Sequence, residues 1–120
     1  MSKRGTHQAA ATVNARTATE LATRGGDSTV WVPTLWFYVA VQLIEAALAD
    51  HGLHLKEHGD RLAHLAGTLQ VRDTASYKQL QVLSTQWRYF GRRPAAEGVE
   101  RAEGWARDVA TSVGANWPLT

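Results

Sequence analysis

The sequence contains no cysteine among its 120 residues. Disulfides, thiolate metal sites and a cysteine nucleophile are therefore excluded. No glycine-rich phosphate loop, nucleophile elbow or paired catalytic carboxylate signature is present, since Gly25-Gly26 is too little for a phosphate cradle. There is no internal repeat. A long apolar run is also missing. The longest uncharged stretch, Ser28 to Ile44, contains Pro33 and Gln42 and ends against Glu45. A membrane-spanning helix needs about 20 mostly apolar residues, so this stretch reads as a buried core helix of a cytoplasmic protein. A secretory signal needs its apolar region close behind the N-terminal charges, and Ala/Thr-rich sequence intervenes here. Strong charge of one sign is lacking too: thirteen Lys and Arg oppose eleven Asp and Glu, a net charge of +2.

What remains is one domain's worth of chain, with 44% hydrophobic and 20% charged residues. Its small positive excess is unevenly placed. Lys3, Arg4, Arg16 and Arg24 face only Glu20 within the first 25 residues, whereas the rest of the chain is close to neutral. The pattern divides into a basic Ala/Thr-rich arm or marginal helix over residues 1–27 and a helical body over residues 28–120. In the arm, the large aliphatic residues are Val13 and Leu21, eight apart, which promises little independent stability.

The body is all-α by periodicity. Thr34 is placed to cap a helix running to about Asp50, apolar on nearly every side and therefore central. Val30-Trp31-Val32 could form a brief strand, but nothing else in the chain would pair with it. A second helix is expected from Glu57 to about Leu69, with Leu62, Leu65 and Leu69 on one face. A third runs from about Thr74 to Phe90, stopped by Gly91. A fourth runs from about Ala95 to Val113, with Glu97–Arg101 and Glu103–Arg107 as i,i+4 pairs on its solvated face. Gly98 and Gly104 leave room on that helix for a close neighbour. Short connections favour antiparallel packing, so the expected fold is an up-down four-helix bundle with an N-terminal extension or extra helix.

Three groups could carry function. Tyr38, Gln42 and Glu45 lie at i, i+4 and i+7, a polar stripe on the most apolar helix. A carboxylate there needs a partner, and Arg61 and Arg88 are the candidates. Four histidines, His51, His54, His58 and His64, fall within fourteen residues of each other around Arg61. His54 and His58 have the spacing of two zinc ligands on a helix. A catalytic zinc takes three protein ligands, however, and no metal or other cofactor is expected. His58 and Arg61, three apart, could instead share a site as a proton-transfer group and an anion holder. The third group is Trp87-Arg88-Tyr89-Phe90-Gly91-Arg92-Arg93, where cations and aromatics interleave in a way that suits phosphates and bases. Arginines are equally favoured at a helix C-terminus by the macrodipole. Trp31 and Trp117 fall outside the helical stripes and suit a subunit contact.

Spaced positions over about residues 34–90 resemble small bacterial helical proteins of the HEPN-like superfamily. They are Trp36-Phe37-Tyr38-Val39-Ala40-Val41-Gln42-Leu43-Ile44-Glu45-Ala46, then Gly52-Leu53-His54 through His58-Gly59-Asp60-Arg61, then Tyr77-Lys78-Gln79-Leu80 and Ser84-Thr85-Gln86-Trp87-Arg88-Tyr89. The resemblance implies a helical bundle, often dimeric. It also implies metal-independent ribonuclease chemistry of the kind found in toxin–antitoxin and antiphage systems. The family's usual Arg, four to six residues, His signature is absent here, and Gln42 stands where a histidine is common. Within that resemblance a catalytic set would be Glu45, His54, His58, Arg61 and Arg88. His58 would move a proton from a ribose 2′-hydroxyl, and Arg61 and Arg88 would hold the phosphate. The expected function is a binding or assembly subunit linked to nucleic acid, with a protein partner or homodimer and no membrane. The alternatives are a ribonuclease toxin and a subunit that coats nucleic acid. Nucleic-acid contacts are expected from Lys3, Arg4, Arg16, Arg24, Arg88, Arg92 and Arg93.

Overall fold

The computed structural model describes residues 3–53, 58–117 and 119, with residues 58–60 described for their backbone alone. Five α-helices run in chain order: α1 Lys3–Arg24, α2 Val32–Ala49, α3 His58–Ala66, α4 Ala75–Phe90 and α5 Ala96–Ser112. The described residues contain no strand. The fold is an all-α bundle centred on α2, against which α1, α4 and α5 all pack.

Sequence explains why α2 is central. Thirteen of its residues are buried, and they lie on every side of the helix. Burying each large aliphatic or aromatic side chain contributes about 1.5–3 kcal/mol. The apolar stretch that could have crossed a membrane by length and composition is thus the core of a compact fold. The expected start of α2 is corrected. The chain enters through a 3-10 turn, Gly26–Trp31, rather than a strand, and the helix begins at Val32 with Pro33 in its first turn. Thr34 is consequently not a cap. It is buried inside the helix, and its hydroxyl has no hydrogen-bond partner among the described residues.

The N-terminal segment is a helix of 22 residues, and its contact with α2 is the most extensive in the fold. Of the two large aliphatic residues only Leu21 packs against the core. Val13 is exposed, whereas Ala11 and Ala18 are fully buried and Ala15 packs beside them. Alanines at i, i+4 and i+7 let two helix backbones approach closely, so contact comes from proximity rather than from side-chain bulk. Two polar contacts fasten the N-terminal half: Arg4 to Asp50, and His7 Nδ1 to Gln42 Oε1 at 2.6 Å.

Helices α4 and α5 match their expected spans to within one residue. At Gly98 a β-carbon would lie 3.1 Å from Leu83 Cδ1, so this glycine does permit close packing of α5 on α4. Gly104 faces nothing within 4 Å. The pairs Glu97–Arg101 and Glu103–Arg107 form on the outer face, at 3.3 and 3.9 Å. Short α3 joins the core mainly through Leu65 and Arg61.

Candidate functional site

Three helices converge on the polar stripe of α2. Glu45 lies inside the fold and is met by Arg61 of α3. Arg61 Nε and Nη2 both donate to Glu45 Oε1, at 3.0 and 2.9 Å. The two side chains are 8% and 6% exposed. A buried carboxylate costs several kcal/mol in solvation unless a cation and hydrogen bonds compensate it, and Arg61 supplies both. Tyr77 of α4 closes this centre. Its ring lies 5.7 Å from Phe37. Its buried hydroxyl sits beside the Arg61 guanidinium without a well-aligned hydrogen bond. Burial pushes the phenol above its ordinary pKa, and the positive charge of Arg61 pulls the other way.

One turn earlier, Gln42 Oε1 accepts the hydrogen bond of His7 Nδ1 from α1. A further turn back, Tyr38 faces Arg88 of α4. Arg88 has no carboxylate partner among the described residues. Its Nε donates to the buried Ser84 hydroxyl at 2.8 Å. Its guanidinium carbon stands 4.9, 5.5 and 5.8 Å from the ring centres of Tyr89, Tyr38 and Phe37. These are cation–π distances, and Arg88 Nη1 also donates to the Tyr89 hydroxyl at 3.4 Å, so the aromatic rings and two hydroxyls take the place of an anion.

Past Arg88 the helix ends abruptly. Gly91 adopts a left-handed conformation (φ 61°), Gly91 N–H donates to Trp87 C=O, and Arg92 N–H donates to Gln86 C=O. The bond from Gly91 to the carbonyl four residues back makes this an αL cap, and a residue with a β-carbon would be strained at Gly91. The cap leaves Tyr89 and Phe90 standing 69% and 74% exposed at the rim. Arg93 reaches the exposed Asp27 at 2.9 Å, and Arg92 is exposed with no ion pair among the described residues. Trp87 turns inward, edge-on to Trp31 at 5.6 Å.

The sequence-derived sets are therefore brought together only in part. Glu45 and Arg61 meet, but in the interior. Arg88 points to a different section of the stripe. His54 lies outside the described residues. His58 opens α3, one turn before Arg61 on the same helix, and only its backbone is described. His64 is engaged locally with Thr68, and His51 is exposed. Of the proposed nucleic-acid contacts, Lys3, Arg16 and Arg24 are exposed on α1, while Arg4 is paired with Asp50. Trp31 is 46% exposed. Trp117 rests on Trp36 at 5.9 Å, with Arg107 over its ring, and so packs against its own chain. His7 escaped sequence reasoning. Its signal was its place four residues before Ala11, on the face that docks against α2.

Comparison with family models, with characterised proteins and with solved structures finds no match to this chain.

Proposed function

We propose that the chain is a HEPN-like helical module that acts as a binding and assembly subunit, linked to nucleic acid, in a cytoplasmic antiphage or toxin–antitoxin system. The observation that carries this reading is the contrast in exposure between two sets of side chains. Glu45 and Arg61, the groups best suited to chemistry, neutralise one another inside the fold. Tyr89 and Phe90, flanked by Arg88 and Arg92, stand in solvent on a rigid helix end. Exposed aromatics beside arginine are the composition of a protein contact rather than of a solvated surface. Lys3, Arg16 and Arg24 on α1 supply the cationic surface for nucleic acid.

The test is a labelled single-stranded RNA incubated with the purified protein in EDTA, with binding and cleavage followed together. Binding that weakens steeply with salt and falls in a Lys3→Ala, Arg16→Ala, Arg24→Ala triple variant, with the RNA left intact, is the expected result. Metal-independent cleavage that disappears in His58→Ala would overturn it in favour of a ribonuclease. No binding at low salt would remove the link to nucleic acid.

A further inference from the structure

We propose that the end of α4 docks into the groove between α1 and α5 of a second copy of this chain, in a head-to-tail contact. The proposal rests on reading the α4 end as the assembly surface, and it names the partner.

The groove is built by α1 and α5 standing apart over α2. Its α1 wall is lined mostly by small residues, Ala15 and Thr19 among them, with Arg16 and Glu20 beside them. Its α5 wall carries Val99, Glu100 and Glu103, and Trp36 forms the floor. Two adjoining cavities of about 370 Å³ each lie along it, the first bounded by Trp117. Short α1 side chains keep this space open, for the same reason that they let α1 sit close on α2. Apolar at the bottom, the groove is acidic along its rim. Glu20 and Glu100 have no ion pair among the described residues, and Glu103 reaches Arg107 only at 3.9 Å. Arg16 is the lone cation among the described lining residues.

The α4 end is the chemical complement of this groove. It offers two exposed rings for an apolar floor and the exposed Arg92 for an acidic rim. Its αL cap fixes the backbone that carries these side chains, which lowers the entropy lost on docking. A symmetric contact of α4 on α4 lacks this match of charge: the helix has no Asp or Glu, so Lys78 and Arg88 of one copy would find no carboxylate on the other's α4. The groove follows α1 from Thr12 to Thr23, about 17 Å at 1.5 Å per residue. Because donor and acceptor surfaces differ, each added copy leaves one free end and one free groove. Assembly then continues as a row or closes as a ring.

The experiment is sedimentation velocity across a concentration series at low and high salt. It uses the wild type, an end variant (Tyr89→Ser with Phe90→Ser) and a groove variant (Glu100→Lys with Glu103→Lys). All four positions are exposed, and circular dichroism checks that both variants fold. Wild type is expected to grow beyond a dimer with concentration and to dissociate with salt. Each variant alone is expected to associate at least tenfold more weakly. Their mixture is expected to form a one-to-one dimer that stops there, since each contributes one working surface. Either variant associating like wild type, or a mixture that stays monomeric, would overturn the contact. A wild type that is monomeric at every concentration yet binds RNA overturns self-docking and leaves the proposed function standing. One that does neither overturns both.

Discussion

Arg61 and Arg88 approach the same stripe of α2 from different helices. The residues they meet, Glu45 and Tyr38, are seven positions apart, or about 10 Å along the axis. Arg61 finds a carboxylate and disappears into the fold. Arg88 finds three rings and two hydroxyls, and keeps part of its surface in solvent. In the first region the positive charge is cancelled internally, so it can hold helices together but has little left for a ligand. In the second, neutral groups position the charge without cancelling it, so its field remains available to an outside acid. Which arginine is structural is decided by the partner it meets on α2, not by its own helix.

The largest expected effect follows from removing one member of the cancelled pair. Arg61→Ala leaves Glu45 buried and uncompensated, and should cost about 3–5 kcal/mol in urea unfolding. Replacing both partners with apolar residues, Glu45→Leu with Arg61→Met, should recover most of that loss, because no charge is then stranded. A double variant as unstable as Arg61→Ala would mean that the pair contributes shape rather than charge cancellation.

Arg88→Ala should cost less, about 1–2 kcal/mol. It removes a cation–π contact and leaves the buried Ser84 hydroxyl without its donor, but strands no charge. Equal losses at the two arginines would break the distinction between a cancelled and an available guanidinium.

The inner region was the more legible of the two in the sequence. A glutamate in an otherwise apolar helix demands a cation, and only a few arginines lay within reach of it. Choosing between Arg61 and Arg88 required the three-dimensional placement of α3. The end of α4 was also readable, because Phe90-Gly91 is a strong stop. That its two rings would face solvent was not readable, since Tyr89 and Phe90 have the same hydrophobicity inside or out. Helix α1 was legible least. Hydrophobic periodicity weighs bulky side chains, so Val13 and Leu21 drew attention. Leu21 does pack against the core, but most of the buried face is Ala11, Ala15 and Ala18, small residues that let α1 lie close to α2. His7 shares that face and was missed with it.

The smallest expected effect separates the two regions by pH. Tyr77 belongs to the inner one, and burial raises its phenol above the ordinary value of 10.0. An unfolded chain would release this proton near pH 10, and the folded chain releases it later. The stability this contributes is therefore whole below pH 10 and is lost as the pH climbs through the folded value. Tyr77→Phe abolishes that dependence. It also removes a buried hydroxyl that lacks a well-aligned hydrogen bond, so at neutral pH it should cost no more than about 1 kcal/mol. Urea midpoints at pH 8 and pH 11 read both effects, with wild type expected to fall further than Tyr77→Phe between them. If the two fall in parallel, the attraction of Arg61 offsets burial at the phenol. The inner centre would then be electrostatically open to Tyr77 as well as to Glu45, and its guanidinium less completely cancelled than its distances to Glu45 imply.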